Sequence, residues 1–174
     1  MKRSIRSIII FSLSCSIIFS CSNNKPGASN QVEEPIVNAN QMLDPCHWSY
    51  KVEQNSPGEA TLIAVAKIDS GWHLYSLKDF NSGPKPTVFT FDALPDYKLL
   101  GSTEEINPHK EYDPFFEMEI LYFENEAVFK QKVKVLGKKD FSITGTIDYQ
   151  ACLTQCVTAS EDFSFNVKGS SKGE

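Results

Sequence analysis

The sequence predicts an all-β fold, an antiparallel sandwich formed by a single domain. In several segments every second residue is apolar, clusters of Gly, Pro, Asn and Ser separate these segments, and no stretch of ten or more residues has a helical apolar stripe. With 174 residues, 41% of them hydrophobic and 22% charged, the chain can bury one core. This composition excludes a wholly disordered chain, collagen and a coiled coil.

Seven segments are predicted to be strands. The first contains Trp48, Tyr50 and Val52 in alternation with polar residues, and the second is the nearly continuous apolar run 60–68, which is typical of a central strand. The others are 87–91, 116–123, 127–136, 141–149 and 163–167. The residues Glu124-Asn125-Glu126 predict a β-hairpin between the fourth and fifth segments. About seven to nine short strands with turns at this spacing favour an immunoglobulin-like sandwich, with a barrel as the alternative.

The first 43 residues are predicted to lie outside this fold. Three basic residues precede an apolar run at 7–19, which is shorter than the roughly 20 residues of a membrane span and has the pattern of a secretory signal. Because Ile18-Phe19-Ser20-Cys21 resembles the lipobox of bacterial lipoproteins, we expect removal of residues 1–20 and lipidation of Cys21. The alternative is an ordinary cleaved signal with Cys21 as a free thiol. Residues 22–43 are polar and aperiodic, so they predict a flexible tether before a domain at 44–170.

The charge of the chain argues against nucleic acid as a partner. The 17 basic and 22 acidic residues give a net charge of −5. Three of the basic residues lie in the first twenty, so a chain that begins at Cys21 has 14 basic and 22 acidic residues and a charge of −8. Binding to phosphate backbones requires a basic face instead.

Three cysteines remain in the predicted domain: Cys46, Cys152 and Cys156. The last two are separated by three residues, and in an oxidising compartment such a pair is expected to form a disulfide. Closing so small a ring removes only about 2 kcal/mol of unfolded-state entropy, so the bond would be a weak staple. Spacing alone favours redox use and leaves a structural disulfide or a metal site open. Cys46 is predicted to be a buried thiol, with intermolecular pairing as the alternative.

Four motifs in order resemble the periplasmic N-terminal domain of the thiol:disulfide interchange protein DsbD, in the form found in lipoproteins of Bacteroidetes-type bacteria. They are Gly71-Trp72-His73-Leu74-Tyr75-Ser76, Gly83-Pro84-Lys85-Pro86-Thr87, Tyr112-Asp113-Pro114-Phe115-Phe116-Glu117, and Tyr149-Gln150-Ala151-Cys152 followed by Cys156 and Phe163-Ser164-Phe165. The resemblance covers about residues 44–168 and implies an immunoglobulin-like fold.

The resemblance also implies a site. Cys152 and Cys156 match the family's redox pair, with Cys156 exchanging with partners and Cys152 resolving the mixed disulfide. Asp113, Phe115 and Phe116 match an acidic and aromatic cap loop that covers the sulfurs until a partner displaces it. The alternative is that the two phenylalanines begin a strand and belong to the core. The spacing of three is shorter than in familiar relatives, and Val157 stands where these usually have proline.

The sequence as a whole predicts a monomeric, lipid-anchored envelope protein that exchanges its Cys152–Cys156 disulfide with thioredoxin-like proteins. It contains no transmembrane carrier of its own, so its electrons are expected to come from a separate membrane donor, and no cofactor is required. The residues leave open whether it is a protein-disulfide reductase in its own right or one station of a relay.

Two other functions stay open at this point. A cysteine pair with a histidine could bind Cu(I), since soft thiolates suit that ion, although the sequence does not bring His47, His73 or His109 near the pair. A non-catalytic surface module would use an aromatic platform formed by Trp48, Trp72, Tyr75 and Tyr112. A hydrolase has no support beyond the presence of common residues.

Overall fold

The computed structural model describes residues 44–114 and 116–170. In this part of the chain all regular secondary structure is β-strand. The ten strands are β1 (Cys46–Ser56), β2 (Glu59–Ile68), β3 (His73–Tyr75), β4 (Val88–Phe91), β5 (Tyr97–Glu105), β6 (His109–Asp113), β7 (Met118–Phe123), β8 (Glu126–Val135), β9 (Phe141–Cys152) and β10 (Cys156–Val167). Strands β3, β5 and β6 are additional to the seven predicted from the sequence.

The strands form two antiparallel sheets, so the predicted immunoglobulin-like sandwich is confirmed. The first sheet has the order β1-β2-β8-β5. The second has the order β10-β9-β3-β7-β6, and β4 also pairs with β9. Strand β10 is therefore an edge strand of the second sheet, while β3 lies between β9 and β7.

The main core lies between the sheets and is rich in aromatic side chains. Phe129 on β8 is 1% exposed, and its ring centroid lies 5.3 Å from that of Phe89 and 5.5 Å from that of Phe123. Trp48 on β1 packs against the same ring at 5.9 Å. On β9, alternate residues face this core, including Ile143, Ile147 and Ala151, each 0% exposed. The strand alternation seen in the sequence is thus the division between core and surface.

The predicted hairpin at 124–126 is wrong, because β7 and β8 belong to different sheets. Phe123 and Ala127 are both buried in the main core, so the chain crosses from one layer to the other between them. At the crossing, Asn125 has a positive φ of 62°, and its carbonyl accepts a 2.9 Å hydrogen bond from Ile68 N at the end of β2. A short polar turn between two apolar segments fits a crossing between sheets as well as it fits a hairpin.

The predicted signal at 1–20, the lipidated Cys21 and the tether at 22–43 fall outside the described residues. In the part that is described, no helix has the length and apolarity needed to cross a membrane.

Candidate redox site

The two late cysteines close the β9–β10 hairpin as a disulfide. Cys152 is the last residue of β9 and Cys156 the first of β10, and they are direct partners in the antiparallel register. Their sulfurs are bonded and their Cα atoms lie 4.0 Å apart. The three-residue turn between them is closed by a 3.0 Å hydrogen bond from Leu153 N to Gln155 O. The pair predicted from the sequence is therefore produced by local strand pairing.

The two cysteines differ sharply in access to solvent. Cys152 is 6% exposed, whereas Cys156 is an exposed residue. The difference follows from strand order, since β10 is an edge strand and β9 is flanked on its other side by β3. An incoming group can therefore approach Cys156 from beyond the sheet edge, while Cys152 has neighbouring strands on both sides.

Cys152 belongs to a small apolar cluster that is separate from the main core. Its buried members are Tyr75, Ile120 and Cys152, and Phe116, Met118 and Tyr122 pack against them partly buried; we call this group the disulfide cluster. Leu74 and Ala151, adjacent in sequence to two of its members, lie in the main core. Because successive residues of a strand face opposite sides, the disulfide cluster is on the outer face of the second sheet.

The loop between β6 and β7 closes over this cluster. Asp113 Oδ1 accepts a 3.1 Å hydrogen bond from Phe116 N, and Glu117 adopts a positive φ of 53° before β7 begins at Met118. Phe116 is half-buried against the disulfide cluster. It therefore packs on the cluster that contains Cys152. The alternative interpretation required Phe116 to begin the strand, but β7 begins at Met118. Phe115, the third predicted cap residue, lies outside the described residues.

The electrostatics of the loop also involve Tyr75. Burial raises the pKa of its hydroxyl, and the Asp113 carboxylate raises it further. Tyr75 therefore stays neutral at physiological pH. The carboxylate lies close enough to the disulfide cluster to disfavour another negative charge there.

Two glycines of the sequence motifs bring other loops against the site. Gly71 has a φ of +81°, and a Cβ at this position would lie 3.0 Å from Leu153 Cδ1 in the turn between the cysteines. A Cβ at Gly83 would lie 3.1 Å from Met118 Sδ of the disulfide cluster. The next residues are tied to the hairpin, because Lys85 N donates a 2.7 Å hydrogen bond to Gln150 Oε1. The four motifs therefore converge around the disulfide.

His73 is a site residue that the sequence analysis did not place. It is the register partner of Cys152 across β3 and β9. Its Nε2 lies 2.9 Å from Glu124 Oε1, and its ring centroid is 4.7 Å from that of Tyr122. The only local signal was the histidine inside an aromatic motif, since the β3–β9 pairing joins segments that are far apart in the chain.

The structure does not support the aromatic platform that a non-catalytic surface module would use. Trp72 and Tyr75 are buried, and Trp48 packs against the core rings. Tyr112 alone of the four is strongly exposed, at 59%. The four aromatic residues therefore do not form one solvent-facing surface for a ligand.

The other thiol and the metal hypothesis are also addressed by the structure. Cys46 is 1% exposed, and burial, followed by the charges of Asp44 and Asp69, raises its pKa to about 12, so the prediction of a buried thiol is confirmed. Across 44–114 and 116–170, no group of three or more His, Cys, Asp or Glu side chains is placed to hold a metal ion. For the Cu(I) hypothesis, the structure therefore places one histidine, His73, next to Cys152 in register, but it shows no set of metal ligands in the described residues.

Several solved structures are similar to this chain. The N-terminal periplasmic domain of ScsB from Proteus mirabilis has a TM-score of 0.52 and 14% identity over 72% of this chain. The chain spans about half of that structure, at 47%. The reduced N-terminal domain of DsbD from Neisseria meningitidis shares 20% identity, covering 76% of this chain and 94% of the other, with a TM-score of 0.46. The complex of the DsbD and PilB N-terminal domains of Neisseria meningitidis gives 16% identity, 74% and 88% coverage, and a TM-score of 0.45.

No curated protein matches the chain in sequence. The family described as "Thiol:disulfide interchange protein DsbD, N-terminal" does match, over residues 39–168, which is most of the chain. The chain therefore belongs to the DsbD N-terminal domain family, whose general chemistry is thiol–disulfide exchange.

Proposed function

We propose that this protein is an envelope thiol–disulfide exchange module that relays two electrons at a time through Cys152 and Cys156. One observation carries the proposal: the disulfide has one accessible cysteine at a sheet edge and one buried cysteine beneath a loop. This difference in exposure has no role in a disulfide that only stabilises the fold. In an exchange site it determines which sulfur a partner can reach.

The accessible sulfur is the one that a partner would attack. Displacement at sulfur places the attacking, central and leaving sulfur atoms roughly in line. For attack on Cys156, that line enters from beyond the β10 edge and ends at Cys152. For attack on Cys152, it would have to enter through β3, on the side occupied by His73. Cys156 is therefore the exchanging residue and Cys152 the leaving and resolving one.

The electrons and atoms balance in two steps. A thiolate of a reduced thioredoxin-like protein attacks Cys156 Sγ, a mixed disulfide forms, and Cys152 leaves as a thiolate. The second thiol of the partner then attacks the partner sulfur that is bonded to Cys156. This step releases Cys156 and leaves the partner with a disulfide. The reduced domain has gained two electrons and two protons.

Delivery to a client protein reverses these events. Cys156 attacks the client's disulfide and forms a mixed disulfide with one client sulfur. Cys152 then attacks Cys156 Sγ, which restores the domain's disulfide and releases the client as a dithiol. No cofactor takes part, because the electrons move within sulfur–sulfur bonds. A separate membrane protein would supply them.

The β6–β7 loop limits this chemistry to protein partners. Phe116 packs on the cluster that contains Cys152, and the Asp113 carboxylate beside it disfavours a free thiolate. A docked protein can displace such a loop, whereas a small oxidant or glutathione gains too little binding energy to do so. Asp113 and Phe116, with Phe115, form the proposed cap.

Trapping with single-cysteine variants tests the proposal. C152S keeps the accessible thiol and loses the resolving one, so it should accumulate a mixed disulfide with a thioredoxin-like partner. C156S keeps only the buried thiol of the pair and should form little mixed disulfide. C46S is the matched control, because it removes a buried thiol outside the pair, and its exchange should equal that of the parent. Equal trapping by C152S and C156S, or by neither, would contradict the assignment.

The midpoint potential of the pair gives a second test. A value near those of thioredoxin-like proteins permits relay. A value far below about −300 mV would instead make the bond an inert structural disulfide.

We also propose that the mature protein begins at a lipidated Cys21 and holds the domain near a membrane through the tether at 22–43. The basic residues and apolar run before Cys21, the lipobox-like Ile18-Phe19-Ser20-Cys21 and the polar segment after it support this proposal. The C21A variant should incorporate no labelled fatty acid and should leave the membrane fraction. Membrane retention of C21A would contradict the lipid anchor without affecting the redox proposal.

A further inference from the structure

Four chemically active side chains lie side by side across the second sheet at the buried end of the disulfide. Cys156 on β10 pairs with Cys152 on β9, and Cys152 pairs with His73 on β3. His73 Nε2 is hydrogen-bonded to Glu124 Oε1 at 2.9 Å, and Glu124 lies immediately after β7. We propose that protonated His73, oriented by Glu124, stabilises the Cys152 thiolate as the disulfide opens and then exchanges a proton with it. This inference rests on the proposed function and adds a residue to it.

The register puts the imidazole on the correct side of the sheet. Directly opposed residues of antiparallel strands face the same side, with Cβ atoms about 4.5–5.5 Å apart. His73 is therefore a lateral neighbour of Cys152, on the side opposite Cys156. In the attack described above, this is the side on which the leaving thiolate appears.

Glu124 acts as a positioning residue. Its hydrogen bond occupies Nε2, so the proposed proton exchange with Cys152 uses Nδ1. The side chains of His73 and Glu124 are 38% and 43% exposed, so the imidazole can exchange protons with water, while Cys152, at 6%, is nearly closed to it. His73 thus gives a buried thiol a route for its proton.

The charges around His73 explain why such a group would be needed. Glu111 and Asp113 line the same cavity of about 180 Å³ as His73, and Glu124 binds the ring itself. Three carboxylates around His73, the register neighbour of Cys152, make this region acidic, and such a region disfavours a thiolate. His73 is the group beside Cys152 that can carry a compensating positive charge.

Two tyrosines that line this cavity have raised pKa values. Tyr122 donates a 2.6 Å hydrogen bond to Glu111, and this bond with burial raises its pKa to about 12. Tyr75, on the same strand as His73, also has a raised pKa. His109 lies on the far side of Tyr122, with its ring centroid 5.7 Å from the Tyr122 ring.

The proton balance of each half-reaction then closes locally. When a partner attacks Cys156, the electron pair of the broken bond stays on Cys152, and protonated His73 transfers its proton to that sulfur. When Cys152 later attacks Cys156 to release a client, neutral His73 takes the proton back. No further oxidant, reductant or ion is required.

The first experiment measures the ionisation of Cys152 directly. The full chain is prepared with Cys15, Cys21 and Cys156 replaced by serine, and thiolate absorbance at 240 nm is followed from pH 5 to 9. Cys46 does not interfere, because its pKa is raised to about 12. In H73Q the pKa of Cys152 should be about one unit higher than in the parent, and E124Q should move it in the same direction by less. An unchanged pKa in H73Q would overturn the proposal.

H47Q provides the matched control. His47 forms a comparable pair with Asp69, its Nε2 lying 3.1 Å from Asp69 Oδ1, but it stands on β1 in the other sheet. H47Q should leave the pKa of Cys152 unchanged. An equal change in H47Q and H73Q would show a general effect of charge and would refute the specific role.

The second experiment compares rates of disulfide reduction by dithiothreitol across pH, in the chain with Cys152 and Cys156 intact. A histidine ordinarily changes charge between pH 5 and 8. The parent should therefore react about three- to tenfold faster than H73Q at acidic pH, and the two rates should converge at alkaline pH, where a histidine is neutral. A constant ratio at all pH values would indicate a purely structural change.

The two proposals can fail separately. If C152S traps partners as expected but H73Q alters neither the pKa nor the pH profile, only the role of His73 is wrong. If C152S traps no partner, the exchange function fails whatever H73Q does. Should H73Q fold poorly by circular dichroism, E124Q keeps the test available, because it leaves the histidine in place.

Discussion

Replacing Phe116 with alanine tests whether the β6–β7 loop guards the disulfide. The ring is half-buried and packs on a cluster whose buried members, Tyr75, Ile120 and Cys152, are 5%, 4% and 6% exposed. Full burial of a phenylalanine contributes about 1.5–3 kcal/mol, and this ring is partly buried, so its contacts contribute at least about 0.8–1.5 kcal/mol. We expect F116A to lower the free energy of unfolding by about that amount.

The same contacts oppose opening of the loop, which makes the effect on reactivity calculable. If a small thiol must wait for the loop to open, losing about 0.8–1.5 kcal/mol raises the open population about four- to thirteenfold. Reduction of the disulfide by glutathione should accelerate by that factor. Exchange with a thioredoxin-like protein should change much less, because a docking partner displaces the loop itself.

The assay is stopped-flow reduction of wild type, F116A and F141A by glutathione and by a reduced thioredoxin-like protein. Phe141 is the matched control: it is also half-buried, but it packs on the main core, its ring centroid 6.5 Å from that of Tyr97. The reasoning is refuted if F116A unfolds more easily yet reacts with glutathione at the wild-type rate. It is equally refuted if F141A is accelerated as much as F116A.

Three further predictions concern the core and its titrating groups. F129A should lower the free energy of unfolding by about 3–5 kcal/mol in urea titrations, because the ring is 1% exposed at the centre of the aromatic core; a loss under about 1 kcal/mol would contradict that placement. The Cys46 thiol, with its pKa raised to about 12, should not react with Ellman's reagent at pH 8 until urea unfolds the chain, and prompt reaction would contradict its burial. Burial raises the pKa of Glu105, whose Oε2 accepts a 2.8 Å hydrogen bond from Leu77 N, so the ionised carboxylate costs stability above that pKa. E105Q should therefore raise the melting temperature at pH 7, with the gain vanishing as pH falls below about 4.5 and the glutamate is protonated in both states; a gain independent of pH would disprove the explanation.

The sequence predicted the strands with a clear apolar alternation and missed the three-residue strand β3 and the edge strands β5 and β6. In β9, alternation from Phe141 to Tyr149 marks buried and exposed positions directly. In β6, four of five residues are exposed, so there is no apolar period to detect. In β5, the pairing with β8 shifts register between Leu100 and Glu104, which interrupts any alternation. Edge strands carry little of the hydrophobic pattern on which such predictions depend.

The predicted part of the site is the part made by local chain geometry. Cys152 and Cys156 are close because a three-residue turn joins their strands, and this is visible in the spacing. The position of His73 depends on β3, a strand of three residues held between β9 and β7. Its pairing with Cys152 is a long-range contact that periodicity cannot reveal. The cap residues were identified through a family resemblance, because the sequence pattern of two aromatic residues before a strand is equally typical of core residues.

The β9–β10 ladder has a consequence for the redox cycle as a whole. Its register runs without interruption from Cys152 opposite Cys156 to Phe141 opposite Val167, so the hairpin is held along its length by backbone hydrogen bonds and the sulfur bridge closes only its tip. Breaking that bridge should leave the scaffold standing, and the oxidised and reduced forms should share one backbone shape. A binding protein that distinguishes the two forms must then recognise the sulfurs and the loop above them, so docking affinity can change with redox state without any refolding of the domain.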